Sequence, residues 1–78
     1  MQKLMEAITS DGRNIVLDIS EKACRPFGFL HGDRVLTASQ LTATIIGVAP
    51  GNKGENVLWY AIDRLKGRVC YFGSPVKI

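Results

Sequence analysis

Apolar residues occur along this chain in short bursts, broken about every ten residues by glycine, proline, asparagine or aspartate. Residues 3–8 and 14–19 are two such bursts, separated by Thr9-Ser10-Asp11-Gly12-Arg13. Asp-Gly supplies the positive-φ position that a tight hairpin turn needs, and Ile15, Leu17 and Ile19 alternate with Val16 and Asp18. The pattern predicts an N-terminal β-hairpin. Ser20 then stands where a cap would for one helical turn through Glu21–Cys24, which Arg25-Pro26 ends, because the residue before a proline avoids the helical conformation. Phe27-Gly28-Phe29-Leu30 follows as an apolar loop, expected to plug one end of the fold rather than form an exposed binding lip.

His31-Gly32-Asp33 reads as a turn into a strand at 34–37. Ala38-Ser39-Gln40 turns the chain again into a Thr- and Ile-rich strand at 41–49. Strict alternation there puts Thr44, Ile46 and Val48 on one face and Ala43, Ile45 and Gly47 on the other, with Gly47 free to form a bend or bulge. Residues 50–56, with one proline, two glycines and two asparagines, form the clearest loop and the expected mobile element. A strand at 57–63, a turn at 64–67, a returning strand at 68–72 and a short terminal pairing at 76–78 complete the chain. Five to seven short strands with at most one helical turn predict a mostly β fold, a small barrel in which closure would remove exposed edges.

Length bounds this to one domain, residues 1–78, with 1–25 as hairpin and short turn and 26–78 as the barrel core. Composition agrees with a folded chain: 46% apolar and 22% charged. Seventy-eight residues beginning at Met1 fit either a whole protein or a piece of a larger one. The +3 formal charge is spread without a run of like charges, which reads as a solubility charge more than a phosphate-binding tract. Cys24 and Cys70 lack the paired spacing of a zinc or redox motif, so no metal and no cofactor is expected. With no signal-like N-terminus and no apolar run long enough to span a bilayer, the expectation is two free thiols, an intracellular location (cytoplasmic or nuclear) and no membrane partner.

Gly32-Asp33-Arg34-Val35, Ala43-Thr44-Ile45-Ile46-Gly47-Val48, Leu58-Trp59-Tyr60-Ala61-Ile62-Asp63 and Val69-Cys70-Tyr71-Phe72-Gly73 together resemble the strand order of SH3-like barrels. The likeness is nearest to Tudor-like and mind-bomb-type domains and covers residues 32–73. The opening strand is also similar to that of nucleic-acid-binding barrels of the KOW type. The first resemblance implies binding of protein tails, sometimes methylated, within larger assemblies.

Catalysis finds little support in the residues. The one histidine, His31, precedes a turn and has neither a nucleophile motif nor an orienting partner nearby in sequence. Gly51-Asn52-Lys53-Gly54 lacks the following Gly-Lys-Ser/Thr and the helix of a phosphate loop. If Leu58, Tyr60 and Ile62 point into the core, alternation sends Trp59 and Ala61 to the opposite face, leaving Trp59 partly exposed or covering the N-terminal hairpin. Trp59, Tyr71, Phe72 and Arg68 are therefore the candidate ligand-binding residues, able to hold a peptide side chain, a base or a methylammonium group. Arg34, Lys53, Arg64 and Lys66 form the alternative, nucleic-acid-binding set. The expected function is a non-catalytic protein- or peptide-binding module, an adaptor part of a larger protein. A nucleic-acid-binding barrel is the first alternative, an oligomerisation domain pairing edge to edge the second, and the oligomeric state stays open.

Overall fold

The computed structural model describes residues 3–71 and 75–78. Its first unit is the expected hairpin of β1 (Leu4–Ile8) and β2 (Asn14–Asp18), in the register Leu4↔Asp18 to Ile8↔Asn14. The turn closes through the Thr9 N–H, which donates to the Arg13 carbonyl at 2.7 Å, with Gly12 at φ +93° supplying the left-handed position. Ser20 caps α1 (Glu21–Cys24) as expected, its Oγ accepting from the Ala23 N–H at 3.2 Å. The α-helix ends at Cys24, before Arg25-Pro26, as expected, but the chain does not turn away there. It continues as a 3-10 turn, Arg25–Phe27, where proline at an early position sacrifices no hydrogen bond. The two rings that follow part company. Phe29 is half-buried against the core, whereas Phe27 is exposed, so only one of them plugs the fold.

The spine of the molecule is a long antiparallel ribbon, β4 (Thr42–Pro50) and β5 (Asn56–Ile62). Pro50 belongs to the strand and pairs with Asn56, so the connecting loop is shorter than expected. The other edge of β4 is shared: β3 (Arg34–Leu36) pairs with its first half and β2 with its second. One sheet edge can serve two strands because β4 bends at a bulge. Ile45 faces Tyr60 and Gly47 faces Trp59, which leaves Ile46 unpaired. His31 fixes the bend, its Nδ1–H donating to the Ile46 carbonyl at 2.7 Å.

That extra residue corrects the expected facing of β4. Ala43 and Ile45 lie in a first core with Val35, Tyr60, Ile62 and Cys70, but past the bulge Ala49 lies in a second core with Leu17, Trp59 and Val69. Gly47 sits at the crossing point, and a Cβ there would come within 2.6 Å of the Asp18 carbonyl oxygen of β2. Glycine is required by this close approach of two backbones.

Asp63, expected to end the strand, instead opens a second 3-10 turn, Asp63–Leu65, before the short β6 (Val69–Cys70) returns along β5. β7 (Val76–Lys77) pairs with β3. The architecture is mostly β: an open seven-stranded sheet with antiparallel strand pairs, an N-terminal hairpin and a single short helix. Among the described residues closure is confined to one parallel bridge, Thr9 to Val69, with the Ser10 N–H donating to the Val69 carbonyl at 2.9 Å. Edges persist on β1 and β7 among the described residues. No described helix is long and apolar enough to cross a membrane.

Candidate functional site

Alternation along β5 holds: Leu58, Tyr60 and Ile62 face the first core, and Trp59 and Ala61 turn the other way. Partial exposure of Trp59 does not follow from it. The residue is 2% exposed, because the inner face of the N-terminal hairpin, Ala7, Ile15 and Leu17, packs over the same cluster. The indole N–H is satisfied internally, donating to the Ala49 carbonyl at 3.2 Å. Trp59 is thus a core residue of the second cluster, and the face chosen from sequence is largely filled.

What remains there is a small cleft. Tyr71, half-buried, meets Trp59 edge to face with ring centroids 4.6 Å apart. Its hydroxyl accepts from the Asn52 N–H at 3.1 Å, which ties down the β4–β5 loop. The cavity beside the two rings measures about 90 Å³, small against the roughly 300–1,000 Å³ of ordinary ligand sites. Its mouth is already bonded to itself. The Thr9 hydroxyl donates to the Asp11 carboxylate, Thr9 Oγ1 accepts from the Arg13 N–H at 2.9 Å, and the Arg13 side chain pairs with Asp11 at 3.1 Å. The Thr9 hydroxyl, and after it Arg13, hold the Asp11 carboxyl below its usual range. Arg68 is exposed on the turn before β6 and does not line this cleft; Phe72 lies outside the described residues.

The basic set is dispersed. Arg34 is engaged by Asp63 through both guanidinium nitrogens, at 3.1 and 2.7 Å, and also donates to Thr44 Oγ1. Arg34, then Thr42, pull the Asp63 carboxyl down to about 2. Lys53 lies in the loop at one end of β5, whereas Arg64 and Lys66 follow its other end, a strand length of roughly 20 Å away. The length of β5 therefore separates Lys53 from Arg64 and Lys66.

A different surface gathers the unclaimed apolar area, and sequence reasoning missed it. The pairing of Leu4 with Asp18 and Glu6 with Val16 sets Leu4, Glu6 and Val16 on the outer face of the hairpin. There Leu4 is 60% and Val16 50% exposed. With Pro26 and Phe27 from the 3-10 turn and Val48 and Pro50 from β4, they line an open groove of about 480 Å³. Asp18, Lys22 and Asn56 supply its polar rim. The signal in the sequence was the outward half of the alternation, Leu4 and Val16, which a solvated hairpin face would fill with polar residues.

Cys24 and Cys70 are buried and unbridged, and burial pushes the Cys24 thiol up from its ordinary value. Among the described residues no group of three His, Cys, Asp or Glu side chains is placed to hold a metal ion. Comparison of the chain with protein-family models, with curated proteins and with solved structures finds no match.

Proposed function

We propose that this chain is a non-catalytic protein-binding module, a small SH3-like domain that docks a segment of another protein on the outer face of its N-terminal hairpin. The observation that carries the reading is the groove of Leu4, Val16 and Phe27 over the buried Val48: three large apolar side chains exposed together in a cleft of about 480 Å³. Contiguous apolar surface rimmed by polar groups is characteristic of interaction sites on small soluble domains. The burial of both thiols favours binding over chemistry, since it takes the two cysteine nucleophiles off the surface. Capture of Arg34 by Asp63 and the separation of Lys53 from Arg64 and Lys66 weigh against the nucleic-acid alternative. A role as an adaptor within a larger assembly fits a domain of this kind.

Selection of displayed random peptides against the folded chain tests the reading. Apolar peptides should be enriched, and Val16→Asp should reduce their binding about tenfold while leaving the fold intact. Enriched peptides that bind Val16→Asp unchanged would overturn it. A single-stranded oligonucleotide bound with steep salt dependence would instead favour phosphate contacts.

A further inference from the structure

β1 differs from the other long strands in having no buried residue, and its exposed apolar side chains lie on both of its faces. Leu4 is exposed on the outer face and Met5, at 41%, on the inner one. The strand order makes it an edge as well: along Leu4–Ile8 it pairs with β2 on one side only. The hydrogen-bond phase shows what the missing neighbour would meet. The Ile19 N–H donates to the Lys3 carbonyl and the Thr9 N–H to the Arg13 carbonyl, so odd-numbered residues of β1 turn their backbone groups toward β2. Leu4 and Glu6 consequently direct N–H and C=O outward. From Thr9 onward the edge is taken by Val69, so the open stretch runs from Lys3 to Ala7.

We infer that this edge of β1 accepts an extended segment of a partner protein as an added antiparallel strand, with a basic residue opposite Glu6, an acidic residue opposite Lys3 and apolar residues between. The inference rests on the protein-binding reading above and names the class of partner. Charge chooses the occupant. A copy of this chain can pair only in registers that set even residues against even residues, because those carry the outward groups. Glu6 then faces Leu4 or Glu6 of the copy, never Lys3, and gains no counter-charge. A partner with a base and an acid three residues apart satisfies both ends while its apolar residues cover Leu4 and Met5. Backbone hydrogen bonds would give affinity and the two charges register.

The test uses the full isotope-labelled chain and the blocked peptide Thr-Lys-Val-Val-Glu-Thr as probe. The amides of Leu4 and Glu6 should shift and become protected from exchange at about 1 mM peptide. The charge-swapped peptide Thr-Glu-Val-Val-Lys-Thr should bind about fivefold more weakly, as expected for two cross-strand pairs of a few tenths of a kcal/mol to 1 kcal/mol each. Glu6→Lys should abolish or reverse that preference without disturbing the ladder to β2. Glu6→Pro removes one outward donor from an edge strand and should abolish binding, with protection of Met5 and Ala7 showing that the hairpin persists. Unchanged exchange at Leu4 and Glu6 overturns strand addition, and equal protection by both peptides overturns the charge-paired partner. Shifts confined to Val16 and Phe27 would overturn it too, while leaving the groove reading standing. Failure of the groove reading would show separately, as library peptides indifferent to Val16→Asp.

Discussion

β5 and β1 are both strands with alternating side chains, yet both faces of one are covered while the other carries exposed apolar side chains on each of its faces. On β5, Trp59 and Tyr60 are neighbours that point opposite ways, and each is almost fully buried, since the ribbon β4–β5 has a core on either side. On β1, Leu4 and Met5 point opposite ways and each is exposed. Alternation assigns faces; it does not say what covers them. In this fold the inner face of the hairpin was consumed in covering Trp59, and its outer face and its edge were left over.

The comparison breaks most visibly at Trp59. Trp59→Ala should destabilise the chain by about 3–5 kcal/mol, enough to unfold a domain of this size, measured by denaturant titration. Wild-type Trp59 emission should be that of a buried indole. Gly47→Ala comes next, at about 1–3 kcal/mol, because the added methyl must push apart the β2 and β4 backbones where the ribbon changes faces. Val16→Asp, on the open side, should cost only about 1 kcal/mol, mostly from the like charge it sets opposite Glu6.

The smallest effect is a pH dependence. The Asp63 carboxyl, held near 2 by Arg34 and then Thr42, has its folded value below the unfolded one of 3.8. Its contribution is therefore present above about pH 4 and fades as pH falls toward 2. Asp63→Asn should be slightly less stable than wild type at neutral pH, with denaturant midpoints that converge in that acidic window. Both side chains are about half exposed, so added salt should shrink the difference.

Much of this fold was legible because its signals are local. Asp11-Gly12 located the first turn, Ser20 the helical cap, and the period of two separated Trp59 from Tyr60. Gly47 was readable as a bulge, but not its consequence, since the shift of face past Ile46 depends on the β2 backbone arriving from thirty residues earlier in the chain, roughly. The candidate site was less legible for the same reason. Whether Trp59 is exposed depends on where the hairpin docks, and whether Arg34 is available depends on Asp63 across the sheet. Those are long-range facts that pattern alone does not carry. The groove, by contrast, was half written in Leu4 and Val16. What completed it was Phe27, which the sequence pairs with Phe29 and the structure parts from it.

Native-state amide hydrogen exchange along β1 tests the central claim most directly, that the hairpin closes one core and leaves its own edge open. Met5 and Ala7, bonded to β2, should exchange slowly, and Leu4 and Glu6, directed outward, should exchange orders of magnitude faster. Uniform protection of all four amides in a monomeric sample would contradict the account, because it would mean that the edge is already covered from within the chain.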